Sequence, residues 1–292
     1  MENMDKPYAL FLVLFLTITA KPYSMDWPST SGSIVKNFGW NDRGLPSLGI
    51  SFESAGEVRA ADGGELLFYR REGDTASALP SPLGSWVALD HGDGIVSIYA
   101  RLNDKLPEAP GEQVEKGRVV GEAGISGWSL SRGFYFQLFD RKEKRWINPS
   151  LIITPPEDIR PPEIMSVRLR NAQGELINPY QTYNLNQGRY TVIVNTVDTL
   201  RFPGERPLAP HRIICTLNGS EAGVLNFETY SSRDGQLMVY RNGLVPVRQI
   251  YAPVPSYEVA DVWFSRGQTT LEIIAQDIAG NIRNVVYRLL VE

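Results

Sequence analysis

The stretch "GWSLSRGFYFQLFD", Gly127–Asp140, decides how the first half of the chain is read. A run of small, turn-forming residues leads into an alternating segment, with Phe134, Phe136 and Leu138 on one face and Tyr135, Gln137 and Phe139 on the other. A half-buried strand keeps one face polar; this one is aromatic on both. It reads either as an inner strand covered on each side or as a strand whose aromatics stand where reactive side chains would sit.

The surrounding chain supports an all-β fold. It has 292 residues, 42% hydrophobic and 21% charged, with 26 glycines and 20 prolines punctuating short runs rich in Val, Thr and Tyr. That length allows two domains with full cores. A net charge of −4 gives no reason to expect nucleic acid or an anionic membrane as partner. Near the N-terminus, "YALFLVLFLTITA" (Tyr8–Ala20) is short for a bilayer span and suits the core of a signal peptide covering residues 1–20, cleaved after Ala20. Lys6 is its only preceding basic residue; a retained anchor is the alternative, and then the only membrane contact. No cysteine lies near that junction. The single one, Cys215 in "HRIICTLNG", reads as a small core residue.

Residues 27–154 form a series of short β-runs between Gly-rich turns. The segment "TPPEDIRPPEI" (Thr154–Ile164), with four prolines, reads as a stiff linker over residues 155–163. From residue 164 to 292 the β-pattern resumes in runs such as "RYTVIVNTVDT" and "QTTLEIIAQD", whose spacing predicts a β-sandwich of roughly seven strands. "AQDIAGNIRN" (Ala275–Asn284) reads as strand, turn, strand, and the turn resembles those of bacterial immunoglobulin-like domains. Asp277 there is a turn-former more readily than a calcium ligand.

Five segments of the first domain share a pattern of glycine turns and short β-runs: "WPSTSGSIVKNFGW" (Trp27–Trp40), "GEVRAADGGELLFY" (Gly56–Tyr69), "LGSWVALDHGDGIVSIYARL" (Leu83–Leu102), "GEQVEKGRVVGEAGISGWS" (Gly111–Ser129) and "RWINPSLII" (Arg145–Ile153). In this order they resemble, over about 125 residues, the lysostaphin/LytM-type zinc metallopeptidases, a family that cuts peptidoglycan cross-links. The resemblance implies a LytM-type antiparallel β-sheet domain, followed here by an immunoglobulin-like β-sandwich.

The resemblance also locates a site and then empties it. A hydrolytic zinc takes three protein ligands and a water. The family's H-x-G-x-D segment falls on "SLGIS", placing Ser47 at the His and Ser51 at the Asp. Its Y-x-H-L segment falls on "YARL", with Arg101 at the His, and its H-x-H strand falls on "FYF", with Phe134 and Phe136. Only two histidines exist: His91, in a D-H-G-D-G turn that is scaffold, and His211, in the other domain. No metal or other cofactor is therefore expected. Phe134 and Phe136 are expected to fill the volume of the metal and its water. Arg101 is expected solvated at the rim, or else binding a carboxylate or stacking on a ring; Trp128 and Tyr135 are further candidates for contact with sugar or peptide. The resemblance then implies an exported, non-catalytic protein of the bacterial periplasm or envelope, binding peptidoglycan or regulating a cell-wall amidase. A divergent endopeptidase and a purely structural envelope module are the alternatives.

Overall fold

A computed structural model describes residues 25–292 apart from residues 43, 54–55, 74–78, 104–110, 155–156, 183, 201–205 and 254. The apolar segment Tyr8–Ala20, and with it the expected signal peptide, lies outside the described residues. Among those residues the regular structure is strand, with two short 3₁₀ turns and no helix that is long and apolar enough to cross a membrane.

In the first unit the principal strands are β1 (Ser33–Lys36), β2 (Ile50–Glu53), β3 (Gly64–Arg70), β4 (Ser85–Asp90), β5 (Ile95–Leu102), β6 (Gly133–Asp140) and β7 (Arg145–Ile147). They pair antiparallel, β3–β4–β5–β6 in sequence, with β2 and then β1 added on the far side of β6. Alternation puts Ile50, Phe52, Leu66, Val87, Leu89, Tyr99, Phe134, Phe136 and Leu138 on one face, where they form a buried core. A ribbon of Glu57–Arg59 and Val119–Glu122 contributes Val58 and Val120 to the same core.

In the second unit, β8 (Glu163–Arg170), β9 (Gly188–Val197) and β12 (Ser256–Phe264) make one sheet. Against it lies a second sheet of β10 (Arg212–Leu217), β11 (Ser220–Arg233), β13 (Gly267–Gln276) and β14 (Ile282–Val291). Asn184–Leu185 joins the second sheet parallel to the end of β14. Inward residues of both sheets, among them Val192, Val194, Tyr257, Val259, Ile213, Cys215, Leu271 and Ile273, share one core.

The proline-rich segment is not the only connection between the units. Strand β7 pairs with β6 along one edge and with β11 along the other, matching Trp146 to Phe139 and to Tyr230. One sheet therefore runs unbroken from β3 into the sandwich. Phe38, from the entry segment of the first unit, is buried in the sandwich core, its ring 4.9 Å from that of Tyr230. Gly39 follows at φ +84°, and a Cβ there would lie 2.8 Å from the Phe227 ring, so glycine is required on both counts. The Asn37 amide both donates to the Ala209 carbonyl and accepts from its N–H, each at 2.8 Å. Asn148 donates from its backbone to the Glu228 carbonyl (2.8 Å) and from its side chain to that of Phe227 (3.0 Å).

Phe38→Ala is expected to cost about 3–5 kcal/mol, the range for truncating a buried aromatic. Because the cavity opens in a core shared by both units, guanidinium unfolding followed by tryptophan fluorescence should remain a single transition at a lower midpoint; a second unit unaffected by the change would contradict the shared core.

Candidate functional site

The sheet face opposite the first core carries the candidate site. Residues paired directly across antiparallel strands share a face, and the registers define one row across five strands: Arg70, Trp86, Ala100, Tyr135 and Ser51. The neighbouring row is Phe68, Ala88, Ile98 and Gln137. Phe134 and Phe136 pair instead with Phe52 and Ile50. They lie on the core face, 1% and 0% exposed, with Phe134 stacked on Phe52 at 4.5 Å and Phe136 5.2 Å from Tyr99.

This corrects the expectation for Phe134 and Phe136: they do not fill a metal's place in the groove. A one-residue shift in a strand exchanges its faces, and the residues of β6 on the Ser51 face are Tyr135 and Gln137. These two occupy the place that the sequence resemblance gave to the H-x-H pair. Of the two further candidates for contact with sugar or peptide, Tyr135 is 8% exposed and packs in the sheet, while Trp128 is 73% exposed, on the loop that precedes β6.

Arg101 reaches this face through a bulge. Ser85 pairs with Leu102 and Trp86 with Ala100, leaving Arg101 as the extra residue of β5. Its backbone is left-handed at φ 63°, an uncommon conformation for a non-glycine residue inside a strand. Its N–H donates to the Leu83 carbonyl (2.7 Å) and its carbonyl accepts from the Gly124 N–H (3.1 Å), which hold that geometry. The bulge aims the guanidinium over the Tyr135 ring, 5.1 Å from the centroid, with Nη1 3.5 Å from the Ser51 hydroxyl. Arg101 is therefore half-buried and stacked, not solvated at the rim.

The Tyr135 phenol is hydrogen-bonded to the Ser47 side chain, and Ser47 Oγ donates to the Gly49 carbonyl at 2.8 Å. Burial pushes the phenol up to about 12, against the smaller opposing effects of Ser47 and the Arg101 charge. The structure thus gathers Ser47, Ser51 and Arg101 around a neutral Tyr135 and excludes Phe134 and Phe136. The groups present are two hydroxyls, a protonated phenol, an amide and a permanent cation. That set does not fit a zinc ion, which takes imidazole, thiolate or carboxylate and is repelled by a guanidinium.

The other chemistry-bearing residues are structural. His91 lies 2.8 Å from the Gly63 carbonyl through Nδ1 and 2.7 Å from the Ser97 hydroxyl through Nε2, tying the β4–β5 turn to β3. Cys215 is buried in the sandwich core, and burial pushes its thiol up to about 12, far from a reactive thiolate. Asp277 closes its turn as expected: Asn281 donates to it from backbone and side chain, both at 2.8 Å. Folding also brings Asp158 and Asp198 to Asp277, with one oxygen of each carboxylate within 4.8 Å of the others. Oxygen donors of this kind suit a hard cation. Burial foremost, then the Asp277 charge, pushes Asp198 up to about 7, and burial also raises Asp158. Sequence reading missed the cluster because its members come from three distant segments.

The antiparallel sheet and the site on it agree with the domain class that the sequence resemblance implied. Residues 46–149 match Peptidase family M23, and a second, separate family match covers residues 161–292. An uncharacterized protein of Treponema pallidum (strain Nichols) is 31% identical over 124 residues, covering 39% of this chain and 84% of that one. The chain belongs to the M23 family through this first domain. Similar solved structures include the catalytic domain of lysostaphin from Staphylococcus simulans, at 19% identity and TM-score 0.31 over 39% of this chain and 81% of that one. An A109H mutant of the catalytic domain of the prophage-encoded M23 protein EnpA from Enterococcus faecalis matches at 19% identity and TM-score 0.34, over 40% and 87%. The SpoIIQ–SpoIIIAH pore-forming complex includes a chain at 18% identity and TM-score 0.36, over 45% and 92%.

Two outcomes follow from the site. Ser47→His/Ser51→Asp/Arg101→His/Gln137→His should take up one zinc per chain by metal analysis, whereas the same set with Phe136→His in place of Gln137→His should not, since its imidazole enters the core and destabilises the fold. Asp198 has a folded value above its unfolded one, so its contribution to stability is complete below about pH 4 and is lost as pH rises through about 7. Thermal unfolding between pH 5 and pH 9 should show the midpoint falling, about 2–4 °C for each kcal/mol lost, and Asp198→Asn should flatten that slope.

Proposed function

We propose that this chain is a non-catalytic M23 protein of the bacterial cell envelope, which binds peptidoglycan or regulates a cell-wall amidase. The observation that carries the reading is the set of side chains at this site, where Arg101 stacks on a buried, neutral Tyr135 beside Ser47 and Ser51. Hydrolysis of a peptide cross-link needs an activated water and a stabiliser of the developing oxyanion. The guanidinium is a candidate for the second role, but among the described residues no group at this site activates a water. In this reading the Tyr8–Ala20 segment directs export to the periplasm, and the second unit is an immunoglobulin-like sandwich. Its strand order supports that assignment: β8, β9 and β12 form one sheet, and β10, β11, β13 and β14 form the other.

The test uses the purified full chain with isolated sacculi. Co-sedimentation with sacculi is expected, or else an increase in the rate at which a wall amidase releases dye from labelled sacculi. No cleavage of cross-linked peptides is expected with or without added zinc. Cleavage abolished by a chelator would establish the endopeptidase instead. Neither binding nor amidase stimulation would sink the proposal and leave a structural module.

A further inference from the structure

Beside the Tyr135 site the same face of the sheet runs on across β5, β4 and β3. The registers set Phe68, Ala88, Ile98 and Gln137 in one row, with Trp86 diagonal to Phe68. Phe68 is 48% exposed, Trp86 and Ile98 are half-buried, and the two aromatic rings lie 4.9 Å apart. Gln137 is only 6% exposed, yet its amide has no hydrogen-bond partner among the described residues, while neither amide atom is sealed from the surface. A largely buried amide gives up most of its water, so one without a partner in the fold favours a ligand that pairs with it.

The chemistry of the face restricts that ligand. Phe68, Trp86, Ala88, Ile98 and Gln137 carry no charge, and Asp90, next along β4 on the same face, is ion-paired with Arg141. A neutral ligand is therefore favoured. Strands β4 and β5 are each paired on both sides, so along them no backbone donor or acceptor is left for an extended peptide. Contact has to come from ring faces and one amide. A pyranose presents its C–H face to the negative face of an aromatic ring. An acetamido substituent offers the acceptor and the donor that a glutamine amide matches. Phe68 and Gln137 stand three strand gaps apart, about 14 Å at about 4.8 Å per gap, which is more than one sugar spans. We propose that this face binds an oligosaccharide of N-acetylated amino sugars, with a ring against Phe68 and Trp86 and an acetamido group on Gln137. This deepens the peptidoglycan-binding reading and rests on it for the source of the glycan.

The probe is chitotetraose, the tetramer of N-acetylglucosamine, titrated into the full chain against cellotetraose, which lacks the acetamido groups. Chitotetraose should bind at least about tenfold more tightly and should move the Gln137 side-chain amide and Ile98 methyl resonances. Gln137→Met should remove that preference. Phe68→Ala, at an exposed position, should weaken chitotetraose binding at least about fivefold. Circular dichroism and the unfolding midpoint check the fold of both variants. No chitotetraose binding, equal affinity for cellotetraose, a preference kept by Gln137→Met, or shifts confined to other residues would overturn the proposal. A peptidoglycan stem peptide moving the same resonances where chitotetraose does not would overturn it in favour of a peptide. Sacculi bound without chitotetraose would overturn this inference alone; chitotetraose bound with neither sacculus binding nor amidase stimulation would support it and overturn only the envelope reading.

Discussion

The rest of the structure depends on one short pairing, Arg145–Ile147 held between β6 and β11. A three-residue strand between two longer ones makes few hydrogen bonds, and alone it would be a weak joint. Its strength comes from its neighbours. Asn148 anchors the next residue to the Phe227 and Glu228 carbonyls, and Phe38 fills the sandwich core beside Tyr230. Because the pairing is in register, the first unit's groove face and the sandwich's inner face are the same face of one sheet. The second unit therefore cannot turn independently of the first without breaking a ladder and opening a core.

Within the first unit the decisive constraint is the extra residue in β5. Without it, alternation from Ala100 would put Arg101 on the core face beside Tyr99, where a guanidinium would have to be desolvated. The bulge turns it onto the other face and over Tyr135. Tyr135 in turn needs a partner for its hydroxyl, and Ser47 supplies it. Residues that carry no metal chemistry thus satisfy one another, and a neutral aromatic with a cation stacked on it fills ground where that cation would repel a metal ion.

The sequence made the architecture legible because strand alternation and glycine turns are local signals. The alternation that sets Val87 and Leu89 on the face of Tyr99 is visible in the chain itself. The His91 turn, the buried Cys215 and the Asp277 turn likewise follow from neighbours within a few positions. Ser47, Ser51 and Arg101, read from the sequence as neighbours, do come together in the structure, the two serines about Gly49. The resemblance failed by one residue at Phe134 and Phe136, because β6 is buried on both faces and its aromatics give no sign of which face is the core. Only the pairing with β2 decides that. Phe38, the Asp158–Asp198–Asp277 cluster and the shared sheet arise from contacts between distant segments, which no local pattern encodes.

The groove is also tied physically to the second unit. Tyr135 bonds Ser47, the Ser47 carbonyl accepts from the Gly39 N–H at 2.9 Å, and the Gly39 carbonyl accepts from the Tyr251 hydroxyl at 2.7 Å. Tyr251 lies 2.9 Å from Tyr230, hydroxyl to hydroxyl, inside the sandwich, where burial raises both phenols well above the ordinary tyrosine range. Leu48, next to Ser47, packs against the same core. A hydrogen-bonded chain running through buried groups has little freedom to change one link alone. In an active hydrolase the corresponding loop must hold a ligand at a metal and accommodate substrate beside it. Here the loop that carries Ser47 is held by the sandwich, so the candidate site and the attachment of the second unit meet in the same residues, Ser47 and Gly39.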